Sequence, residues 1–381
     1  MTSNSKYLII VESPSKIKKI EEYVGSNYQV VASCGHVRAL ASLKDIDITN
    51  QYQCNYTIPT SKKALVGKLG QIISKYSKSN VLLGTDNDRE GEAIAYHLCM
   101  LFQLPIESTK RILFNEITKK ALLHAIEPSQ QTILNMNVVK SQQARQILDV
   151  LIGFKISPLL WKYVSSSKSS SLSAGRCQTP ALRILFENHI QIKKERESPS
   201  YSYKIIGHFF PAPFTLKMDV KKQFPNENEC RDFLEQTKTF PHTFQLGETT
   251  KSVRNPPKPF HTASLLQSAS NVLRYSPKVT TFLMQQLYQD GYITYIRTEC
   301  RKYSNDFVKK TTMFIQNKYS CRHVGSTETL ASISMVDEGE STVPTTALPH
   351  KAIRVTDMKN QPNFAQEFGE ISFCIFYEYS S

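Results

Sequence analysis

Apolar and polar positions along the first 130 residues fall into short blocks that read as alternating strands and helices. The run YLIIV at 7–11 has the length of a buried strand. A loop follows, then a helical run over 16–24 that stops at Gly25. Residues 30–32 and 81–83 predict further strands, and 64–75, 93–102 and 119–125 predict helices. That alternation predicts a largely parallel sheet covered on its faces. From 138 the pattern is helical again and is expected to end near Ser157-Pro158, before a serine-rich loop at 165–171 and a helix from Gln178 to about 194. Residues 201–220 alternate like strands with proline punctuation, and the Pro-rich stretch 255–259 marks a joint between domains. Beyond it, 262–273 and 277–288 predict helices and 292–296 a strand; after about Asp357 no period remains, and no internal repeat is visible.

Composition narrows the partners. The chain has 381 residues, enough for two or three domains, with 40% hydrophobic and 21% charged residues, as in ordinary globular proteins. Its 47 Lys and Arg outnumber 33 Asp and Glu, a formal charge of +14. A polyanionic partner fits that excess, because neutralising phosphates releases counterions; a generically basic protein fits it equally. The apolar run at 7–11 is too short for a signal peptide and meets Glu12 at once, and nothing approaches a membrane span. The eight cysteines, at 34, 54, 99, 177, 230, 300, 321 and 374, form no C-x-x-C pair, which argues against a zinc ribbon or a disulfide framework and for a reducing, intracellular setting.

Four constellations carry candidate chemistry. TDNDREGE at 85–92 follows a predicted strand; in an extended segment Asp86, Asp88 and Glu90 point one way, and clustered carboxylates call for a hard cation such as Mg2+. Asp86 or Asp88 equally suits the cap of a helix beginning near Glu92. VESPSK at 11–16 ends the first strand, so Glu12 and Asp86 can face one cleft, with Glu12 as an acid and Lys16 near a phosphate; Ser13-Pro14 is also a helix start. GYITYIRT at 291–298 places Arg297 two residues after Tyr295, on one side of a strand, where a tyrosine hydroxyl attacks a phosphodiester with cationic support; it also reads as a plain strand. HKAIR at 350–354, if helical, puts His350 and Arg354 on one face for a phosphate, or simply at the surface.

In sequence order, VESPSK, GHVRAL, TDNDREGEAIAYHL, RILFNEIT, QQAR…LDVLIGF…SPLLW, LSAGRCQTPAL, PPKPF, LYQDGYITYIRT and HKAIRVTD resemble the type IA DNA topoisomerases over residues 6–357. The resemblance implies a multidomain α/β and α fold. A Rossmann-like Toprim domain would span 1–130, a helical DNA-binding segment 131–198, part of a β-rich arch 199–258, and a helical domain with the tyrosine 259–357, before an atypical tail at 358–381. It implies that Asp86, Asp88 and Glu90, with Glu12, bind magnesium. Glu12 acts as the acid/base, Lys16 stabilises the phosphate, Tyr295 forms a 5′-phosphotyrosyl link and Arg297 positions it. His36, Arg89, Arg145, Asp149, Ser173, Arg176, Gln178, His350 and Arg354 hold or shape the single strand. A monomer would relax negatively supercoiled DNA without ATP.

Departures from the family pattern fall at Gln146, Phe154, Glu299, Cys300, Lys351 and His261, and none removes a catalytic group. Family members continue past this point, so 360–381 is expected to be a frameshifted end or the edge of a split gene. The competing readings are a DNA-binding remnant that does not relax DNA, and a Toprim nuclease.

Overall fold

The computed structural model describes residues 6–164, 172–197, 201–210, 215–243, 245, 247–248, 258–324 and 351–358. The chain divides into two compact units, one from 1–154 with 256–381 and the other from 155–255. The serine-rich loop, most of the Pro-rich joint, His350 and the tail from 359 onward lie outside the described residues.

The first unit opens with β1 (Tyr7–Val11), α1 (Ile17–Val24) and β2 (Tyr28–Ala32), then the short hairpin β3 (Ile46–Asp47) and β4 (Gln53–Cys54). α2 (Lys63–Ile73), β5 (Val81–Gly84), α3 (Arg89–Phe102), β6 (Lys110–Arg111), α4 (Lys119–Ile126) and α5 (Met136–Tyr163) follow, the residues of α5 from 155 onward counting with the second unit. The main sheet runs β2-β1-β5-β6 with parallel neighbours, as the alternation predicts. Successive strand residues point to opposite faces, and β1 uses both. Ile9 and Val11 join a core with Ile20 of α1 and Leu122 of α4, while Leu8 and Ile10 join one with Leu69 of α2 and Leu98 of α3.

Within the second unit the elements are α6 (Gln178–Glu197), the antiparallel pair β7 (Ile206–Phe209) and β8 (Leu216–Asp219), and α7 (Glu227–Thr237). The chain returns to the first unit with α8 (Thr262–Leu273), α9 (Pro277–Gln289) and α10 (Asn305–Lys318). Leu265, Met284, Leu287 and Ile293 enter the same core as Ile9 and Val11, so the segment before and after α9 is packed on the sheet's α1/α4 side.

Several expectations need correction. α5 does not stop at Ser157-Pro158 but carries Pro158 inside it. Proline there removes one helical hydrogen bond without ending the helix, and Ser157 Oγ instead accepts from the Ala174 amide at 3.0 Å. Residues 292–296 form no named strand; an isolated bridge pairs Ile293 with Val355. Residues 351–358 are not helical: Ile353 bridges Phe260, and the Arg354 carbonyl accepts from the Thr294 amide at 2.9 Å. Both stretches are extended chains that satisfy each other's backbone groups.

Candidate active site

Parallel pairing aligns Val11 with Gly84, so Glu12 and the 85–88 loop leave the carboxyl ends of adjacent strands. In an α/β sheet that edge is where ligands bind. Beyond Glu12, Pro14–Lys16 makes one tight turn into α1 and turns Lys16 inward; its side chain is fully buried and its ammonium pairs with Asp86. The same ammonium lies 5.0 Å from the ring centre of Tyr288 on α9.

The carboxylates do not line up along an extended strand. α3 begins at Arg89, and Asp88 is its N-cap, accepting from the Gly91 amide at 2.8 Å. That is the helix-cap alternative open in the sequence, and it moves Glu90 into the first turn of α3. Each carboxylate then has its own partners. Asp86 takes Lys16. Glu90 is 2.8 Å from His36 Nε2 and accepts from Gln142 Nε2 at 3.2 Å; the His36 bond holds its carboxyl below the usual range.

Asp88 ties the acidic side to the tyrosine. Its Oδ2 accepts from the Tyr295 hydroxyl at 2.5 Å and from Arg297 at 3.0 Å. Although 292–296 is no strand, Tyr295 and Arg297 therefore converge as their spacing predicts. Burial pushes the Asp88 carboxyl up, but the Tyr295 hydroxyl, the Gly91 amide and Arg297 outweigh it and leave it below the ordinary value. Tyr295 is nearly buried, and burial, followed by the charges of Asp88 and Asp86, raises its hydroxyl well above a free phenol. It is thus a neutral hydroxyl at neutral pH. Glu12 is raised by burial and next by the Asp86 charge, against the pull of Lys16 and Arg297.

Among the described residues no three His, Cys, Asp or Glu side chains form a ready metal cage. Magnesium, however, usually takes one or two carboxylates and completes its shell with water and phosphate oxygens. The raised Glu12 carboxyl, crowded by Asp86 and Asp88, marks a spot where three hard-oxygen groups share one field that a cation would relieve. The donor set fits Mg2+ on those terms; Glu90, held by His36 and Gln142, is the outlying member.

A buried frame that sequence reading missed holds the loop. Arg111 on β6 pairs with Glu92 on α3 and donates to Thr85 Oγ1 at 2.9 Å and to the Asp86 carbonyl at 3.0 Å. The signal was an arginine heading the apolar run RILF, which a buried sheet accepts only with a partner. Gly91 allows the closest approach: a Cβ there would stand 2.0 Å from the Asp86 carbonyl oxygen. Gly291, at φ +75°, plays the matching part before the tyrosine, where a Cβ would fall 2.4 Å from the Ile117 carbonyl oxygen.

The remaining predicted residues lie as follows. Arg89 is exposed at the start of α3, and Arg145 and Asp149 are exposed on α5. Arg354 pairs with Glu116 at 2.8 Å and stacks over Phe307, rather than facing solvent from a helix. In the second unit Ser173, Arg176 and Gln178 sit at the turn into α6, where Gln178 Nε2 donates to Ser173 Oγ at 3.0 Å. Among the departures, Gln146 accepts from the Tyr56 hydroxyl at 3.2 Å, and His261 caps α8, accepting from the Ser264 amide at 3.4 Å. A cleft of about 590 Å³ is lined by Glu12, Asp86, Tyr295 and Arg297 together with one side of α9.

Comparison with known proteins covers both halves of this cleft. The Toprim domain family matches residues 7–117, and a family described as DNA topoisomerase matches 133–372. Toprim domains generally bind Mg2+. DNA topoisomerase 1 of Rickettsia bellii is 36% identical over 395 residues, covering 97% of this chain and 47% of the relative. The chain thus spans about half the length of that relative. The full-length topoisomerase I structure from Thermotoga maritima matches with a TM-score of 0.74 at 28% identity, covering 97% of this chain and 59% of that one. No helix among the described residues is long and apolar enough to cross a membrane. With an acidic loop from one matched region meeting a tyrosine from the other in a single cleft, the chain belongs to the type IA DNA topoisomerase family.

Proposed function

We propose that this chain cleaves and rejoins one strand of DNA through a transient 5′-phosphotyrosine on Tyr295, and so relaxes negatively supercoiled DNA without ATP. The observation that carries the reading is the Tyr295 hydroxyl, 2.5 Å from Asp88 in the cleft that also holds Glu12, Asp86 and Arg297. A nearly buried tyrosine bonded to a carboxylate and flanked by a guanidinium is placed for nucleophilic attack rather than for packing alone.

Because the hydroxyl is neutral, it must lose its proton as the tyrosyl O–P bond forms, and Asp88 is the acceptor already bonded to it. Arg297 lies on the same carboxylate and balances the charge gathering on the phosphate oxygens. As the P–O3′ bond breaks, the leaving oxygen needs a proton, and Glu12, biased toward its protonated form, supplies it. In rejoining, the 3′-hydroxyl returns that proton to Glu12 as its oxygen attacks phosphorus, the P–O bond to Tyr295 breaks, and Asp88 gives its proton back to the tyrosyl oxygen. Lys16 supports the phosphate by sharing its charge between Asp86 and the substrate. Glu12, Asp86 and Asp88, with Glu90 at the margin, would hold Mg2+, which supplies electrostatic support to the phosphate when bound. Arg89, Arg145, Asp149, His36, Arg354 and His350, with Ser173, Arg176 and Gln178, contact the single strand on this reading.

The test is a labelled single-stranded oligonucleotide incubated with the chain and magnesium, then denatured on a gel. The wild type is expected to form a covalent adduct and Tyr295→Phe none, with chelation of the metal suppressing turnover. Binding without an adduct would leave a DNA-binding remnant; metal-dependent free ends that persist in Tyr295→Phe would make the chain a nuclease.

A further inference from the structure

α9 has two unlike sides. Thr280, Met284, Leu287 and Tyr288 are buried against the core, whereas Lys278, Thr281, Phe282 and Gln285 line the catalytic cleft. The second set is spaced i, i+3, i+4, i+7, a single helical stripe leading to Tyr295. Phe282 is 61% exposed at the edge of a cleft whose other lining residues, Pro277 and Ile296 apart, are polar or charged. An aromatic ring held in the open beside a lysine, a hydroxyl and an amide is the combination that receives single-stranded nucleic acid: stacking for a base, charge for a phosphate, hydrogen bonds for an edge.

We infer that this stripe is a seat for the nucleotide that stays joined to Tyr295, with its base on Phe282 and a neighbouring phosphate on Lys278; the inference rests on the proposed cleavage reaction. The choice of that end follows from how α9 is attached. The Tyr292 amide donates to the Leu287 carbonyl at 2.8 Å, and the rings of Tyr288 and Tyr295 pack edge to face at 5.1 Å between centres. α9 and the tyrosine are therefore one packed piece, and a nucleotide on its stripe keeps its place relative to the phosphotyrosine. Gln285, the amide of the stripe, is the group available to a base edge and hence to any preference at the cut.

The test is equilibrium binding of a fluorescent single-stranded oligonucleotide to the whole chain, comparing wild type with Phe282→Ala, Phe282→Leu and Phe282→Tyr. Each is repeated with a baseless sugar placed in turn at every position. Alanine and leucine are expected to weaken binding about tenfold, and tyrosine to restore it. At one position the baseless strand should weaken the wild type by a like factor and Phe282→Ala not at all. Lys278→Gln should reduce the slope of log affinity against log salt by about 0.7. Unchanged affinity in Phe282→Ala, rescue by leucine, or no position where the two changes fail to add, overturns the seat. Mapping the adduct should put that position first on the 3′ side of the cut; the 5′ side overturns the assignment to the retained end. If the strand binds with this pattern but no adduct forms, the base seat stands and the proposed cleavage falls.

Discussion

On the acidic side of the cleft the functional groups stand on regular structure: Glu12 follows β1, the 85–88 loop follows β5, and Glu90 rides the first turn of α3. Behind them lies a buried ion pair, Arg111 with Glu92, bonded through to Thr85 and Asp86. The tyrosine side is made differently. Residues 292–298 are held by isolated backbone pairings with 354–356, by bonds from Thr262 to the Ile296 and Thr298 carbonyls, by the Tyr295 amide donating to the Asn115 carbonyl at 2.7 Å, and by side-chain bonds from Tyr295 and Arg297 to Asp88. Both halves reach the core that holds Ile9 and Val11, but the fixed half stands on strands and helices, whereas the docked half is irregular extended chain that enters it through Ile293, Tyr295 and Ile296. On the proposed reaction, catalysis by positioning needs the fixed half to stay rigid, while the tyrosine segment, which is to carry a strand and return it, needs no such scaffold of strands and helices.

The largest expected effect lies in the fixed half. Arg111→Leu leaves Glu92 as an unpaired buried carboxylate and strips support from the 85–86 backbone. Such a change costs about 3–5 kcal/mol. Urea unfolding should show that loss, and Arg111→Leu with Glu92→Leu should recover much of it. If the single variant is as stable as wild type, the frame is not what holds the acidic loop. Gly91→Ala comes next. Its methyl would meet the Asp86 carbonyl, so loop and helix must part, at about 1–3 kcal/mol by the usual cost of overpacking. Adduct formation should fall further than stability does, because the displaced atoms belong to the Asp86 backbone and the Gly91 amide holds Asp88; a fall no larger than the lost folded fraction would contradict this.

An effect smaller than that of Arg111→Leu, and of about the size of Gly91→Ala, is expected on the docked half. Arg354→Gln removes the 2.8 Å bond to Glu116, the tie between the 351–358 segment and the loop before α4. A charge-assisted bond of this kind is worth about 1.5–3 kcal/mol. Because Thr294 and Arg354 share backbone bonds, the change should loosen the tyrosine segment, raising hydrogen exchange at 292–296 while amides of β1 and β5 stay protected. Equal loss of protection in both regions would erase the distinction between a fixed and a docked half.

The two halves were also unequally legible in the sequence. β1, β5 and the loops after them could be read because their signals are local: short apolar runs ended by acidic or serine-proline stretches. The convergence of Tyr295 and Arg297 could be read from spacing alone, since an extended chain sends residues two apart the same way, in a sheet or out of one. What could not be read depends on partners far along the chain. Arg111 shows its role only once β6 lies beside β5 and faces Glu92 of α3. Residues 292–296 and 351–355 each look like an independent strand or helix until they pair with one another. The cluster Asp86, Asp88, Glu90 reads equally as a row on an extended chain or as a helix cap, because a capping aspartate and a metal-binding aspartate have the same sequence signature; the start of α3 at Arg89 decides for the cap.

The smallest effect sharpens what rigidity costs the acidic half. His97, on α3, is fully buried beside Tyr56, 4.4 Å between ring centres, and 6.0 Å from the ring of His36, which bonds Glu90. Neither of its nitrogens has a hydrogen-bond partner among the described residues. Burial, then the nearby charges of Arg38 and His36, lowers its pKa from 6.5 to about 3. Above pH 6.5 folded and unfolded chains both hold it neutral, and it adds no pH dependence. Below that the unfolded chain takes a proton that the folded chain refuses until about pH 3, so stability falls as pH falls. The slope approaches about 1.4 kcal/mol per pH unit, the limit for one proton. Other groups titrate in the same window, so the quantity to measure is the difference between wild type and His97→Phe in urea unfolding at pH 7, 6 and 5. The phenylalanine variant should be flatter by up to that slope, and no less stable at pH 7, since it removes two buried polar atoms that bond to nothing. Parallel curves for the two proteins would mean that His97 takes its proton as readily in the fold as outside it, and that the packing behind His36 and Glu90 is looser than the rest of the acidic half.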